Sequence, residues 1–489
     1  MVSSKLNFDN TLVSLVISTI LILLIPANGL LNGDEEMYFR MASDYLSGSF
    51  NSNSEFITNE NILNHRFLFN YICGSLVNYF GYEHTHIIGR VIVISIFSLS
   101  LTSLFKYLNS SLFEIVFILF LFLILHQTYY SGLQLFKGFL ASDFSYPISI
   151  FSVVYMFKRK YLLALFLLVL ATYFHFLIGG YFFLFFIVYF FINSNNRFLF
   201  LIYNVLYLSL ISPLIFILIK SNLTYDLSVF EYDVNWIYSY VRHSHHLLPF
   251  KSYSEFINNW LLGIVFSQIL FFIVILIHFR KLFIEYSQLS LYLIIGNIYL
   301  ILAFFISYFD DSFTFSKLYL FRPACIIFLF TLIFLTRFIF EKMKLYKFTS
   351  RRLINRIFLI LFLIFSFYFY NTNSRFKSVD LSNKIEFIDF IKSKTNDKSI
   401  FLFEYSMIDF ERLTGRVSFF SNKIIPTHDL GIIEWYKRRL FHKKIFDDLE
   451  FVEIHNIDFF VTKSKTYNKN FSNIIFENND FVVYSASKN

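Results

Sequence analysis

A chain of 489 residues that is 56% hydrophobic, 22% aromatic and only 16% charged is not an ordinary soluble domain. Its 71 Phe and 33 Tyr fall mainly inside long apolar runs, the pattern of a polytopic helical membrane protein. The net charge of +8 sits on basic residues clustered in short connections between those runs, which reports membrane orientation and not nucleic-acid binding.

The runs long enough to span, allowing about 20 residues each, begin with residues 11–30. That first run is longer than the apolar region of a signal peptide and reads as an uncleaved span. There follow 87–107, 112–130, 139–157, 161–174, 176–191, 198–219, 260–277, 289–308, 318–340 and 353–370, which makes about eleven transmembrane helices. The fifth and sixth are short and meet at His175, as in a broken or re-entrant pair. With the N-terminus inside, the inner connections hold Lys106, Lys158-Arg159-Lys160, Arg197, Arg280-Lys281 and the basic stretch 342–356. The loops expected outside are 31–86, 220–259 and 309–317, and the first of these is rich in carboxylates. Within it, residues 67–80 are apolar but punctuated by Asn70, Gly74, Ser75 and Asn78, which predicts a helix lying on the interface. Reading that stretch as a span would invert everything downstream.

Two domains are expected: residues 1–370 as the multi-span part and 371–489 as a small extracytoplasmic α/β domain. In the second, Leu381, Ile385, Ile388 and Ile391 mark one face of an amphipathic helix. Residues 399–403, 417–420, 459–462 and 481–485 read as strands, and 433–449 as a helix. No Walker loop, GxGxxG, HExxH or solenoid repeat occurs. Cys73 and Cys325 lie far apart in apolar settings and support neither a disulfide framework nor a cysteine metal site.

The candidate chemistry begins directly behind the first span, where Asp34, Glu35 and Glu36 stand together at a membrane surface. In a helix starting there, Glu36 pairs with Arg40 and leaves Asp34 and Glu35. Either can take a proton from an acceptor hydroxyl; Asp34 is equally an N-cap whose acidic neighbours favour the helix dipole. In the second outer loop, Arg242, His245 and His246 are suited to a phosphate or diphosphate leaving group, or form an ordinary solvated loop. Arg322, at the outer end of a span, faces an anionic cavity or snorkels to the headgroups. A divalent cation held by His243, Asp310 and Asp311 is the weak metal candidate, and the cofactor is otherwise unknown.

The layout resembles the C-type superfamily of membrane glycosyltransferases, with Gly33-Asp34-Glu35-Glu36 matching its acidic motif and residues 64–79 its interfacial helix. Ile87-Ile88-Gly89-Arg90 is similar to the start of its second span. Arg242-His243-Ser244-His245-His246-Leu247-Leu248-Pro249 and residues 433–439 resemble an uncharacterised bacterial subgroup of this architecture. The proline-rich signature that some members carry before the second span is missing. The resemblance implies a multi-pass inner-membrane enzyme with an outer C-terminal domain. It further implies inverting sugar transfer from a polyprenyl-phosphate-linked donor to a glycan, lipid or protein acceptor, with a first-loop carboxylate as base. A transporter or flippase is the rival reading, and it predicts ionisable residues near span centres and paired broken helices. A non-catalytic partner in envelope polysaccharide assembly is the third.

Overall fold

The computed structural model describes residues 10–24, 31, 33–47, 65–125, 133–194, 196–223, 232–285, 287–342, 360, 364, 381–423, 426, 429–446, 457–463 and 473–486. The helices up to residue 342 are α1 (Asn10–Leu24), α2 (Gly33–Ser47), α3 (Phe67–Tyr107), α4 (Leu112–Ile124), α5 (Ala141–Phe157), α6 (Tyr161–Phe174) and α7 (Phe176–Asn193). They continue with α8 (Arg197–Leu223), α9 (Tyr253–Ile277), α10 (Ser287–Phe309) and α11 (Ala324–Lys342). Among the described residues six of them, α3 and α7 to α11, are long and apolar enough to cross a membrane. Shorter apolar helices cover Val13–Ile22, Leu112–Phe122 and Tyr161–Phe174. A helix thus occupies each expected run from the first to the tenth, while the eleventh, at 353–370, lies almost wholly outside the described residues. The molecule is a polytopic helical membrane protein with a small C-terminal sheet.

Close helix packing follows from small residues. Gly74 of α3 lies against the Ala42 carbonyl of α2, and Gly179 of α7 against Thr172 of α6; a Cβ at either glycine would overlap those atoms. The interfacial helix and second span expected separately are one helical run, broken at Gly81, whose φ of 74° lies in the region that glycine tolerates best. Two turns on one side of the bundle are built alike. After α3, Ser110 N–H donates to the Phe105 carbonyl at 3.0 Å with Asn109 left-handed; after α5, Lys160 N–H donates to Tyr155 at 2.9 Å with Arg159 left-handed. Beside the first turn, Arg337 of α11 is buried and donates from Nε to Glu114 of α4 at 2.8 Å and also to the Leu108 carbonyl. That pairing is what makes two charges tolerable there.

The C-terminal part carries α12 (Ser382–Lys394), β1 (Ile400–Phe403), α13 (Phe410–Thr414), β2 (Val417–Ser418), α14 (Asp429–Phe446), β3 (Phe459–Thr462), β4 (Ile474–Glu477) and β5 (Val482–Ser485). The sheet order is β2-β1-β3-β5-β4, with β2, β1 and β3 parallel and β5 antiparallel to both β3 and β4. One face packs Phe401, Phe403 and Val461 against Phe387 and Ile391 of α12 and Phe410 of α13. The other packs Leu402 and Phe460 against α14 and against Val234 and Ile237 of the 232–248 segment. The C-terminal part therefore sits on that segment through a shared apolar core. Phe387 and Ile391 set the buried face of α12, whereas Ile385, expected inside, is 56% exposed.

Candidate active site

The first turn of α2 points its three carboxylates in three directions. Glu35 is fully buried and binds Arg90 of α3 twice, at 2.9 Å through Nε and 2.5 Å through Nη2, and it accepts the Phe139 N–H at 2.9 Å. It is a tether between α2, α3 and the start of α5 and does not border the cavity described below. Glu36 pairs with Arg412 of α13 at 2.7 Å, and Arg40 pairs with Glu411. The expected Glu36–Arg40 pair is replaced by partners from the C-terminal part, as is physically reasonable for an i,i+4 pair stabilised by only about 0.3–0.5 kcal/mol.

Asp34 faces a cavity of about 200 Å³. Its carboxylate is held by Lys423 at 2.5 Å and Lys137 at 3.6 Å, and its side chain remains 22% exposed. Burial raises its pKa, but Lys137 and then Lys423 outweigh burial, so the carboxyl lies below its usual range and is ionised at neutral pH. The same cavity is bordered by Arg242, His243, His245, His246 and Arg322, together with Arg66, Lys137, Lys317 and Lys423. Burial first, and Arg242 second, hold the His243 imidazole well below its usual range and shift His245 in the same direction. Both therefore offer hydrogen bonds at neutral pH, not charge.

Local structure explains how these groups are aimed. Asp233 caps the turn at Val234–Trp236 by accepting the Asn235 and Trp236 N–H groups at 2.8 and 3.3 Å. A π-helical turn, Ile237–Arg242, follows and brings Tyr238 and Arg242 to the cavity. Arg242 also donates to the Lys423 carbonyl at 3.3 Å, which ties the two segments. The run of turns before α11 is held by three tyrosine hydroxyls from three helices. Tyr181 of α7 donates to the Leu318 carbonyl, Tyr299 of α10 to Leu320 and Tyr146 of α5 to Arg322, at 2.7, 2.8 and 2.9 Å. Within it Tyr319 has φ 53° and ψ 54°, a left-handed conformation that costs an aromatic residue about 1–3 kcal/mol and is found mostly where a site demands it.

The metal candidates do not assemble. Asp310 accepts the Thr314 and Ser316 N–H groups at 3.1 and 2.6 Å and so closes a turn, Asp311 is exposed, and neither borders the cavity. Among the described residues no group of three or more His, Cys, Asp or Glu is placed to hold a metal ion. Lys137, Lys423 and Arg66 were not among the residues expected in the site. Lys137 and Arg66 are basic residues in connections that the charge bias assigns to the side poor in them, and that exception is the signal that would have found them; Lys423 lies in the C-terminal part, which is rich in basic residues, and carries no such signal.

The connections that alternation places on one face, after α1, before α5, α8–α9, α6–α7, α10–α11 and the C-terminal part, all border this one cavity. Comparison with protein-family models and with curated proteins gives no match.

Proposed function

We propose that the protein is a membrane glycosyltransferase that moves a sugar from a polyprenyl-phosphate-linked donor to an acceptor hydroxyl on the outer face, as its resemblance to the C-type superfamily implies. The observation that supports this most is the meeting of one ionised carboxylate, Asp34, with basic side chains from many outer connections around a single cavity. In this reading Asp34 takes the acceptor's proton as its oxygen attacks the anomeric carbon. The bond from that carbon to the phosphate oxygen breaks, and the lipid phosphate leaves with the electron pair. Arg242 and Arg322 bind the departing phosphate, for which guanidinium forks are suited. One displacement gives inversion. Lys137 and Lys423 keep Asp34 deprotonated and aimed.

The decisive variant is Asp34→Asn, which keeps size and a capping oxygen but cannot accept a proton at neutral pH. Transfer of radiolabelled sugar from a polyprenyl-linked donor should fall on the order of 10²–10⁴-fold, with abundance in the membrane unchanged. Full activity in this variant would remove Asp34 from the chemistry.

A further inference from the structure

The sheet of the C-terminal part has a point at which its winding changes direction. The chain leaves β1, passes through α13 and returns as β2 on one side of β1; it then passes through α14 and returns as β3 on the other side. Helix α13 packs on one face of the sheet and α14 on the other. The connections after β1 and β3 therefore run apart, and a crevice opens at the carboxyl ends of these two parallel strands. Open α/β sheets bind their ligands at such points. Tyr405, two residues beyond β1, and Lys463, next after β3, border a cavity of about 440 Å³ there, together with Asp480 and Phe481. Tyr405, Phe481 and Lys384 also border a cavity of about 300 Å³ that reaches Gly33 and Glu36 in the first turn of α2. The two make one groove from the sheet to that turn, where Asp34 faces the first cavity.

The charges of the groove balance among the described residues, with Lys384, Arg412 and Lys463 against Glu36, Asp409 and Asp480. Two of the pairs are closed, Lys384 with Asp409 at 2.5 Å and Arg412 with Glu36 at 2.7 Å. The first cavity, by contrast, has six lysines and arginines to one carboxylate among its described residues. The rings of Tyr405 and Phe481, 6.2 Å apart, give the groove apolar surface, and the Lys463 ammonium lies 4.6 Å from the centre of the Tyr405 ring. The Tyr405 hydroxyl is buried and has no hydrogen-bond partner. Burial first and Glu404 second raise its pKa, so it keeps its proton at neutral pH and can donate. Buried hydroxyls are nearly always paired, and a ligand oxygen would complete this one.

Aromatic rings beside balanced donors and acceptors suit an uncharged sugar, which has an apolar C–H face and hydroxyl edges. A nucleotide phosphate is disfavoured, because the connection from β1 to α13, Glu404-Tyr405-Ser406-Met407-Ile408-Asp409, has no glycine and carries two carboxylates. An extended peptide pairs with a free sheet edge, and β1 and β3 each have a neighbouring strand on both sides. We propose that this groove binds a neutral glycan, held by sugar units that lie away from the reacting hydroxyl. As a binding site the groove stands on its own observations; that the glycan is the acceptor rests on the transferase reading of the first cavity.

The test is equilibrium binding to the full chain in detergent, with fluorescent short neutral oligosaccharides, their uronic-acid counterparts and short peptides as probes. At least one neutral oligosaccharide should bind in the micromolar to millimolar range, more tightly than its acidic counterpart and than the peptides. Tyr405→Phe removes only the unpaired hydroxyl, so it should weaken that binding about threefold to tenfold, the scale of one hydrogen bond, without lowering the thermal midpoint. Lys463 is exposed, and Lys463→Gln should weaken binding by a similar factor with the fold intact. Asp34→Asn should leave glycan binding unchanged, since Asp34 borders the other cavity. No binding of any neutral oligosaccharide, tighter binding of the acidic ones or of a peptide, or unchanged affinity in both groove variants overturns the proposal. A chain that binds the neutral glycan but transfers no sugar retires the transferase reading alone. A chain that transfers sugar and binds no neutral oligosaccharide retires this one alone.

Discussion

Adjacent residues in one helical turn, Asp34 and Glu35, have opposite fates, because a step of one residue rotates a side chain by about 100°. Glu35→Gln should remove the buried carboxylate that Arg90 binds through Nε and Nη2 and lower stability by about 3–5 kcal/mol, read as a fall in the thermal midpoint and in membrane abundance. Asp34→Asn should leave both unchanged. The acidic motif was visible in the sequence, but the choice between its members was not, since the deciding partner, Arg90, lies on another helix. Lys423 offers a pH test. Asp34 is held below the usual carboxylate range, so the benefit of its ionised form is present above the ordinary value and lost as pH falls through the lowered one. Lys423→Met removes one lowering influence and leaves burial, which raises the pKa, in place. The acid limb of the rate profile should therefore move to higher pH, and Lys423→Arg should restore it; an acid limb unmoved by Lys423→Met would separate the lysine from the base.

At the level of elements, periodicity located helices well and their joints poorly. The run 67–80 and the span after it were legible as apolar stretches, whereas their union through a break at Gly81 was not. Strand β4 was missed because its residues are largely exposed, as suits an edge strand. A hairpin signal stood beside it in Asn478-Asn479-Asp480, where the Asn478 side chain accepts the Asp480 and Phe481 N–H groups at 3.1 and 2.9 Å. The α2–α3 joint matters most for the site, since it carries Asp34. Gly74→Val places two methyl groups into the Ala42 carbonyl, and overpacking of this kind costs about 1–3 kcal/mol. Its expected result is a lower thermal midpoint together with reduced transfer, whereas a valine at Gly180, where a Cβ meets nothing, should alter neither.

For the whole molecule, charge bias and alternation together assigned the outer loops, and residues from those loops meet at one cavity. The orientation is checked by single cysteines at Lys463 and Lys158, both exposed, with an impermeant reagent on intact cells. The native Cys73 and Cys325 are buried and contribute little background. Labelling at Lys463 and protection at Lys158 is the expected result; the reverse pattern would turn the cavity to the cytoplasm and remove the outer acceptor. What sequence could not show was the reach of the C-terminal part into the site, because Lys423 and Arg412 meet their partners only through tertiary packing.

The salt link between Asp34 and Lys423 joins the start of the chain to its last domain, and that has a consequence for how the protein is made. Asp34 leaves the ribosome early and Lys137 follows it, but Lys423, its closer cationic partner, comes only after nearly all the described helices have been synthesised. Until then α2 lacks Arg412, Glu411 and Lys423, three of the side chains that hold its first two turns. The nascent protein therefore passes through membrane insertion with its candidate site unassembled. A chain stopped short of residue 412 should present α2 to an added protease that the 489-residue chain resists, so the candidate site would come together only once residues 411–423 have been made.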